Sequence, residues 1–322
     1  MPKICYIPKK FGVTPTKIIS LANEIIVEYM RKGYSLTIRQ LYYQFIARDL
    51  FPDDWVNKEG KKNCGENYTK LQGLISTARI AGLVDWNAIV DRTRSMEKNS
   101  HWLKPSDILK STVTNYAIDK WANQPHYVEV WVEKNALAGV LSGPCSGLDV
   151  PFFACVGYTS QSAMWEASQR LVQKIGLGKE VHIIHLGDHD PSGIDMSRDI
   201  KERLQLFTGG RVHVLRVALN MPQIEMYNPP PNPAKETDAR YASYREKFGD
   251  TSWELDALSP EVLVDIVNRA VLMFRDEKLW EESLELERRG RLTLETLVAE
   301  FPVVVDFLKS KRAADKATKD GF

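Results

Sequence analysis

The feature that most limits the fold is an alternation of short apolar segments with amphipathic segments between residues 127 and 218. The apolar segments have the length of strands, and the segments between them show the 3.6-residue spacing of helices. Strands are expected at 127–132, 151–156, 181–186 and 211–218, and helices at 135–141, 160–175 and 192–207. Strands that alternate with helices predict a parallel sheet in an α/β domain.

The amino-terminal part follows a different pattern, with amphipathic helices expected at 14–33, 35–50 and 66–81 and an extended arm at 86–90. Three helices followed by a short extended arm are typical of a winged helix, a variant of the helix-turn-helix. We therefore expect a winged-helix DNA-binding domain over 1–104 and a connector over 105–125, with one helix at about 106–123. The α/β domain should follow over 126–322, with a mostly helical carboxy-terminal extension after residue 259.

The net charge of +1 hides an asymmetry along the chain. Residues 1–110 carry 18 Lys and Arg against 11 Asp and Glu, a balance of +7, whereas residues 111–322 carry 25 against 31, a balance of −6. A basic half can face a polyanion such as double-stranded DNA, and an acidic half can hold a divalent metal ion. Chance segregation of charge on two solvated surfaces is the alternative.

The sequence also argues against membrane and secreted classes of protein. It has no run of about 18 apolar residues, so no transmembrane helix is expected, and its first residues lack the apolar core of a signal peptide. The four cysteines contain no CxxC pair, which argues against a zinc ribbon and against a disulfide scaffold. We expect a cytoplasmic location and no membrane partner.

Acidic residues follow two of the expected strands. Glu133 ends the first, and Asp188 and Asp190 follow the third in the segment Gly-Asp-His-Asp-Pro-Ser-Gly. Because ligands of parallel α/β sheets bind beyond the carboxyl ends of the strands, these three carboxylates should share one crevice. Such a set suits a hard ion, Mg²⁺ or Mn²⁺. Helix capping is the alternative role for Asp190 and Glu133. The neighbouring His182 and His185 are read as ordinary sheet residues on opposite faces.

The second helix carries a candidate nucleophile. Its apolar face is predicted to place Tyr42 in the core and to leave Tyr43 exposed beside Arg39. A tyrosine beside a cation on a helix that touches DNA can act as a nucleophile, because the cation stabilises the phenolate and holds a phosphate. The alternative is an ordinary surface tyrosine.

The third helix and the arm after it carry candidate DNA contacts. Away from the apolar stripe the helix presents small, polar and basic side chains that can approach a groove, and the arm adds cations for phosphates. The DNA-binding candidates are Lys70, Thr77, Arg79, Arg92 and Arg94. A solvated face is the alternative.

Together these motifs resemble the A subunit of topoisomerase VI and the related meiotic double-strand-break transesterases. The Glu133 strand and the Asp188–Asp190 segment resemble a Toprim domain, and Arg39-Gln-Leu-Tyr-Tyr43 resembles the tyrosine motif of the winged-helix domain. Residues 253–258, Trp-Glu-Leu-Asp-Ala-Leu, resemble a late segment of that subunit. The layout is closest to the short stand-alone A-like proteins of phages and mobile elements.

The resemblance implies magnesium-dependent cleavage of duplex DNA by transesterification. Tyr43 would be the nucleophile, with Arg39 and Glu133 in catalysis and Glu133, Asp188 and Asp190 as metal ligands. It also implies a homodimer in which the tyrosine of one subunit works with the metal site of the other. No ATPase module is recognised in the sequence, which leaves open a separate GHKL-type ATPase B subunit as partner. A hydrolytic Toprim nuclease and a non-catalytic DNA-binding protein are the alternatives.

Overall fold

The computed structural model describes residues 3–89, 99–155 and 157–319. The α-helices of this part are α1 (Val13–Arg31), α2 (Ile38–Ala47), α3 (Gly65–Ile80), α4 (Pro105–Asn115), α5 (Ala138–Gly147), α6 (Gln161–Gly176), α7 (Pro191–Thr208), α8 (Met221–Tyr227), α9 (Tyr241–Phe248), α10 (Pro260–Leu272), α11 (Glu277–Ala299) and α12 (Phe301–Lys319). The strands are β1 (His126–Val132), β2 (Phe152–Ala154), β3 (Glu180–Leu186), β4 (Val212–Ala218), β5 (Asn232–Pro233) and β6 (Thr251–Ser252).

The protein has an α/β fold built on a four-stranded parallel sheet. The strand order is β2-β1-β3-β4, and α5, α6 and α7 form the crossovers. β3 is buried along almost its whole length, as expected for a parallel strand that is covered on both faces. The predicted parallel sheet is confirmed, and each predicted strand overlaps an observed one. β2 spans Phe152–Ala154, and the Pro151 carbonyl and the Cys155 N–H on either side of it also bond to β1. Residue 156 of the expected strand lies outside the described residues.

The described residues divide into two compact units. One comprises Met1–Ser95 and Pro125–Phe274, and the other comprises Met96–Gln124 and Arg275–Phe322. The division differs from the expected boundaries, because the first three helices and the sheet belong to one unit. The connector region groups instead with the last two helices.

The first three helices of the larger unit pack around one apolar core. Ile18, Ile25, Leu41, Phe45 and Ile75 are among its fully buried members. α2 begins at a capping box, in which the Thr37 hydroxyl accepts the Gln40 N–H and the Gln40 side chain accepts the Thr37 N–H. The observed ends of α1, α2 and α3 lie within a few residues of the predicted ends. The described part of the expected arm differs, because residues 86–88 form a turn and Ile89 makes a bridge to Leu36. Residue 90 of that arm lies outside the described residues.

The segment that contains β5 and β6 follows β4 and lies beside the carboxyl end of the sheet. β5 pairs antiparallel with β6, and a 3-10 turn, Leu255–Ala257, follows. His189 and Trp253 exchange two backbone hydrogen bonds of 2.8 and 2.9 Å. The turn is thereby held beside the loop that follows β3.

The smaller unit is helical. α4 packs on α11, and the indole rings of Trp121 and Trp280 meet edge to face. The predicted connector helix ends earlier than expected, at Asn115, because Tyr116 is already extended. Within the described residues, no helix combines the length and the apolar character that crossing a membrane requires.

Candidate active site

The ends of β1 and β3 bring Glu133 and Asp188 into contact. The strand register pairs Val132 with Leu186, so the residues that follow the two strands are neighbours. The Glu133 N–H donates to the Leu186 carbonyl at 2.9 Å, and Glu133 Oε2 accepts the Asp188 N–H at 2.8 Å. The two acids therefore meet at the carboxyl edge of the sheet, where parallel topology places ligand sites.

Burial makes both carboxyl groups hard to ionise. It raises the pKa of Glu133 above its usual range, and the nearby Asp188 carboxylate raises it further. Burial also raises the pKa of Asp188, which is 7% exposed, while the Lys134 ammonium opposes that rise. A cation placed between the carboxylates would stabilise their ionised forms.

Two glycines leave the space that this acidic loop needs. A Cβ atom on Gly187 would lie 2.8 Å from Glu133 Oε2, and one on Gly193 would overlap the backbone carbonyl of Asp188. The Arg216 guanidinium donates to the carbonyls of Gly187 at 3.0 Å, Asp188 at 2.6 Å and Gly193 at 3.0 Å. The loop is therefore fixed by close backbone packing and by one half-buried arginine.

Asp190 caps the helix that follows. Its Oδ1 accepts the Gly193 N–H at 2.6 Å and the Ser192 hydroxyl at 2.9 Å, so it forms the N-cap of α7. Pro191 occupies the first turn, where its missing N–H costs nothing. Asp190 therefore has the helix-capping role that was the alternative reading of the sequence. It also lines the cleft with Glu133.

Lys134 joins the strand loop to the 3-10 turn. Its ammonium nitrogen lies 2.9 Å from Asp188 Oδ2, 2.6 Å from Glu254 Oε2 and 3.0 Å from Asp256 Oδ1. Sequence reasoning did not assign Lys134, Glu254 or Asp256 to the site. The only signal was that residues 253–258 resembled a family segment, because nothing local shows that this segment returns to the sheet edge.

Arg39 faces carboxylates as well as the tyrosine. It forms ion pairs with Glu254 and Asp256, the second at 3.2 Å between Nε and Oδ2. These two carboxylates keep its guanidinium in place at the edge of the cleft. The cation predicted to stabilise a phenolate is therefore already partly neutralised in this state.

Tyr43 is buried, and the expectation that it would be exposed is wrong. Its exposed fraction is 3%, because α2 packs against the Leu255–Ala257 turn and so covers the face that helical spacing had left open. Burial raises the pKa of Tyr43, and Asp256 and Glu254 raise it further, while Arg39 lowers it. The phenol is therefore neutral in the structure described.

Tyr42 lies in the core, as its helical position predicted, with its hydroxyl fully engaged. The hydroxyl oxygen accepts the Cys64 N–H at 2.8 Å, and acceptors for its own proton lie at Asn63 Oδ1, 3.0 Å, and the Cys64 carbonyl, 3.1 Å. Burial raises the pKa of Tyr42 to about 12. This tyrosine links α2 to the start of α3.

These residues line one cleft of about 560 Å³. Its lining includes Arg39, Tyr43, Glu133, Lys134, Asp188, Asp190 and Glu254. Lys134 and Arg39 together pair with three carboxylates, and among the described residues neither Glu133 nor Asp190 has an ion-pair partner. Glu133 and Asp190 are therefore the carboxyl groups of the cleft that are left to pair with a divalent cation.

The predicted DNA contacts lie on or near α3. Lys70 is exposed, and its ammonium group sits 5.2 Å from the Trp55 ring centre. Thr77 is half-buried and donates to the Gly73 carbonyl at 2.8 Å. Arg79 is half-buried over the Trp86 ring at 4.7 Å, so it is less available than the sequence suggested. Arg92 and Arg94 lie outside the described residues.

A tighter set of potential metal ligands lies outside the cleft, whereas the donor atoms of Glu133, Asp188 and Asp190 are not all within 4.8 Å of one another. Across residues 3–89, 99–155 and 157–319, the one set of three such side chains with donor atoms all within 4.8 Å of one another is His126, Glu180 and His182. Sequence reasoning had set His182 aside, since it considered only the nearby histidines on the same strand. Comparison of the chain with protein-family models and with curated proteins gives no match.

Proposed function

We propose that this chain cleaves double-stranded DNA by metal-dependent transesterification, as a winged-helix and Toprim protein of the type IIB topoisomerase A-subunit kind. One observation carries the proposal. The helix with the Arg39–Tyr43 motif and the acids after β1 and β3 line the same cleft within one compact unit. Nucleophile, cation and metal-binding carboxylates are the three components that this reaction needs.

In the proposed reaction, Tyr43 Oη attacks a backbone phosphorus atom. A phosphorus–oxygen bond to the tyrosine forms, the bond to the 3′ oxygen breaks, and the products are a 5′-phosphotyrosyl link and a free 3′ hydroxyl. The phenol loses its proton and the 3′ oxygen gains one, so no oxidant or reductant is needed. Arg39, beside the phenol, stabilises the phenolate and the phosphate.

Glu133, Asp188 and Asp190 would hold the metal ion. Their carboxylate oxygens are the donor type that Mg²⁺ and Mn²⁺ prefer. When bound, such an ion stabilises charge on the phosphate and on the leaving oxygen. The Lys134 ammonium lies 2.9 Å from Asp188 Oδ2, and the Leu255 N–H donates to Asp188 Oδ1 at 2.7 Å, so these two groups fix the Asp188 carboxylate.

Hydrolytic cleavage is the second candidate, and the burial of Tyr43 favours it. A phenol that is 3% exposed with a raised pKa is poorly placed to attack DNA unless α2 separates from the Leu255–Ala257 turn. Under hydrolysis, water attacks at the acidic edge and Tyr43 contributes only packing.

The test is detection of a covalent protein–DNA adduct on a denaturing gel, with supercoiled DNA and Mg²⁺ or Mn²⁺. Transesterification predicts an adduct in wild type and in Tyr42→Phe, and none in Tyr43→Phe. Tyr42→Phe is the matched control, because it removes a buried hydroxyl from the neighbouring position at a cost of about 1–2 kcal/mol of stability. Cleavage by Tyr43→Phe at the wild-type rate, with free 5′ phosphates, would reject the transesterase and leave the nuclease.

Asp188→Asn separates both catalytic candidates from a non-catalytic DNA-binding protein. An amide coordinates a hard divalent ion more weakly than a carboxylate does, and it does not neutralise the charge of the ion. Both catalytic candidates therefore predict that this variant binds DNA and cuts none. If the wild-type protein binds DNA but cleaves it with neither metal, the non-catalytic DNA-binding protein is the remaining candidate.

We also propose that the active species is a cytoplasmic homodimer in which Tyr43 serves the partner's acids. Mixing Tyr43→Phe with Asp188→Asn chains tests this, because a trans arrangement restores one intact site in each mixed dimer. Each chain here places Tyr43 beside its own acids, so absence of restored cleavage would assign the site to a single chain. A separate ATPase partner is compatible with either outcome.

A further inference from the structure

Three potential metal ligands come together at the amino ends of the two central strands. His126 opens β1 and Glu180 opens β3, and the parallel register pairs them directly. His182 lies two residues further along β3, so it shares a face with Glu180. The strands are seven residues long, which places this cluster about 20 Å from the acidic cleft at the carboxyl ends.

The donor atoms are spaced like the ligands of one tetrahedral ion. His126 Nδ1 lies 3.1 Å from His182 Nε2 and 3.4 Å from Glu180 Oε2, and His182 Nε2 lies 3.9 Å from the same oxygen. Metal–ligand bonds of about 2.0–2.2 Å at tetrahedral angles separate ligand atoms by about 3.3 Å. A single ion therefore fits between the three atoms with small side-chain movements.

Packing holds the two imidazole rings in this arrangement. His182 is 6% exposed and stacks on Phe274 with ring centres 4.0 Å apart, while His126 meets the same phenyl ring edge to face at 5.5 Å. The His213 ring stacks on the His182 ring at 5.2 Å. Burial lowers the pKa of the His182 imidazole, which favours its neutral form.

We propose that His126, Glu180 and His182 form a zinc site that joins the amino ends of β1 and β3. Two imidazole nitrogens and one carboxylate oxygen are a ligand set that Zn²⁺ takes up, with water in the fourth position. The Glu180 side chain is 68% exposed, which leaves the site an entry path from solvent. The proposal is independent of the DNA-cleavage proposal, because no residue is shared.

The alternative is a hydrogen bond between the two imidazole rings in place of a metal ion. A hydrogen on His126 Nδ1 can be donated to His182 Nε2, and the 3.1 Å separation is also that of a hydrogen bond. The experiment must therefore measure the metal itself. It titrates ZnCl₂ into the full chain after EDTA and desalting, against a chromophoric chelator, with MgCl₂ in excess to occupy the acidic cleft.

The expected result is one tightly bound Zn²⁺ per chain and a higher unfolding temperature with zinc than without it. His126→Gln and Glu180→Gln replace partly exposed residues and should weaken zinc affinity at least about tenfold, as loss of a ligand exceeds loss of a supporting contact. The exposed His101→Gln is the control, and it should bind zinc as wild type does. Asp188→Asn should also leave zinc binding unchanged.

Two results would overturn the zinc site. One is wild-type zinc affinity in both His126→Gln and Glu180→Gln, with circular dichroism showing that they are folded. The other is a wild-type chain that takes up no zinc and gains no thermal stability, which would assign the cluster to a hydrogen bond.

Discussion

Lys134 occupies the centre of the acidic cleft. Burial alone would lower the pKa of its ammonium group, but Asp256, Asp188 and Glu254 raise the pKa above the usual range. The ammonium is therefore charged, and it neutralises carboxylates that come from two distant parts of the chain. Loss of this one charge leaves the buried Asp188 without its ion-pair partner and leaves Arg39 alone to pair with Glu254 and Asp256. Removing one partner of a buried ion pair is among the most costly changes in a folded protein.

We predict that Lys134→Gln lowers the free energy of unfolding in EDTA by about 3–5 kcal/mol, the usual cost of removing one partner of a buried ion pair. Added Mg²⁺ or Mn²⁺ should restore more stability to this variant than to wild type, because the cation replaces the missing ammonium. Urea unfolding with and without metal measures both effects.

The matched control for this prediction is Lys235→Gln, which removes an exposed lysine from the rim of the same cleft. Its effect should stay within about ±0.5 kcal/mol. If both variants lose the same stability and respond equally to metal, the ion-pair network around Lys134 is not what holds the cleft together.

At the scale of elements, the loop between β3 and α7 depends on close backbone packing. Gly193 lies in the first turn of α7, against the Asp188 carbonyl, while Arg216 binds the loop carbonyls from β4. The helix can therefore start directly behind the acids only if no side chain stands at position 193. This requirement explains the glycine of the acidic motif without reference to chemistry.

Gly193→Ala should lower the free energy of unfolding by about 1–3 kcal/mol, the cost of overpacking a tight site. It should also weaken metal binding and DNA cleavage, because the added Cβ pushes on the backbone that carries Asp188. Denaturant unfolding and calorimetric Mn²⁺ titration measure the two effects.

Gly176→Ala is the comparison, because it also lies in a helix and nothing stands within 4 Å of the added Cβ. Helix propensity predicts a gain of up to about 1 kcal/mol there. Equal effects at the two positions would show that helix propensity, rather than the space beside Asp188, governs the loop.

At the scale of the whole molecule, charge is distributed unevenly along the chain. Residues 1–110 have a net charge of +7, and residues 111–322 have a net charge of −6. The two stretches therefore attract ligands of opposite charge. The basic stretch should attract duplex DNA through its phosphates, with little preference for base sequence. Binding of this kind releases counterions, so its affinity depends on salt.

DNA affinity should therefore fall by about 10²–10³ between 50 and 200 mM salt if about five phosphates are neutralised. Lys70→Ala should reduce the slope of log affinity against log salt concentration by about one. Lys278→Ala, in the acidic stretch, should leave that slope unchanged. Fluorescence anisotropy with a short duplex at several salt concentrations measures the slopes. Binding that does not vary with salt would place the docking surface elsewhere.

Much of the fold and part of the candidate site were predictable from the sequence. The strands, the crossover helices and the acids at the strand ends follow from local apolar patterns, and parallel topology then puts Glu133 next to Asp188. The burial of Tyr42 follows from helical spacing alone. Each of these inferences depends on residues that are close in sequence or on a general rule of sheet topology.

The tertiary structure alone decided three features of the site: the burial of Tyr43, the carboxylates around Lys134, and the approach of His126 to Glu180 and His182. The first two depend on a turn at residues 255–257 that returns more than 200 residues after α2, as the separation of 215 residues between Arg39 and its Glu254 partner shows. The third depends on the register of two strands whose histidines are 56 residues apart. Sequence periodicity assigns a residue to a face of its own helix or strand, but packing free energy summed over the whole chain selects what covers that face.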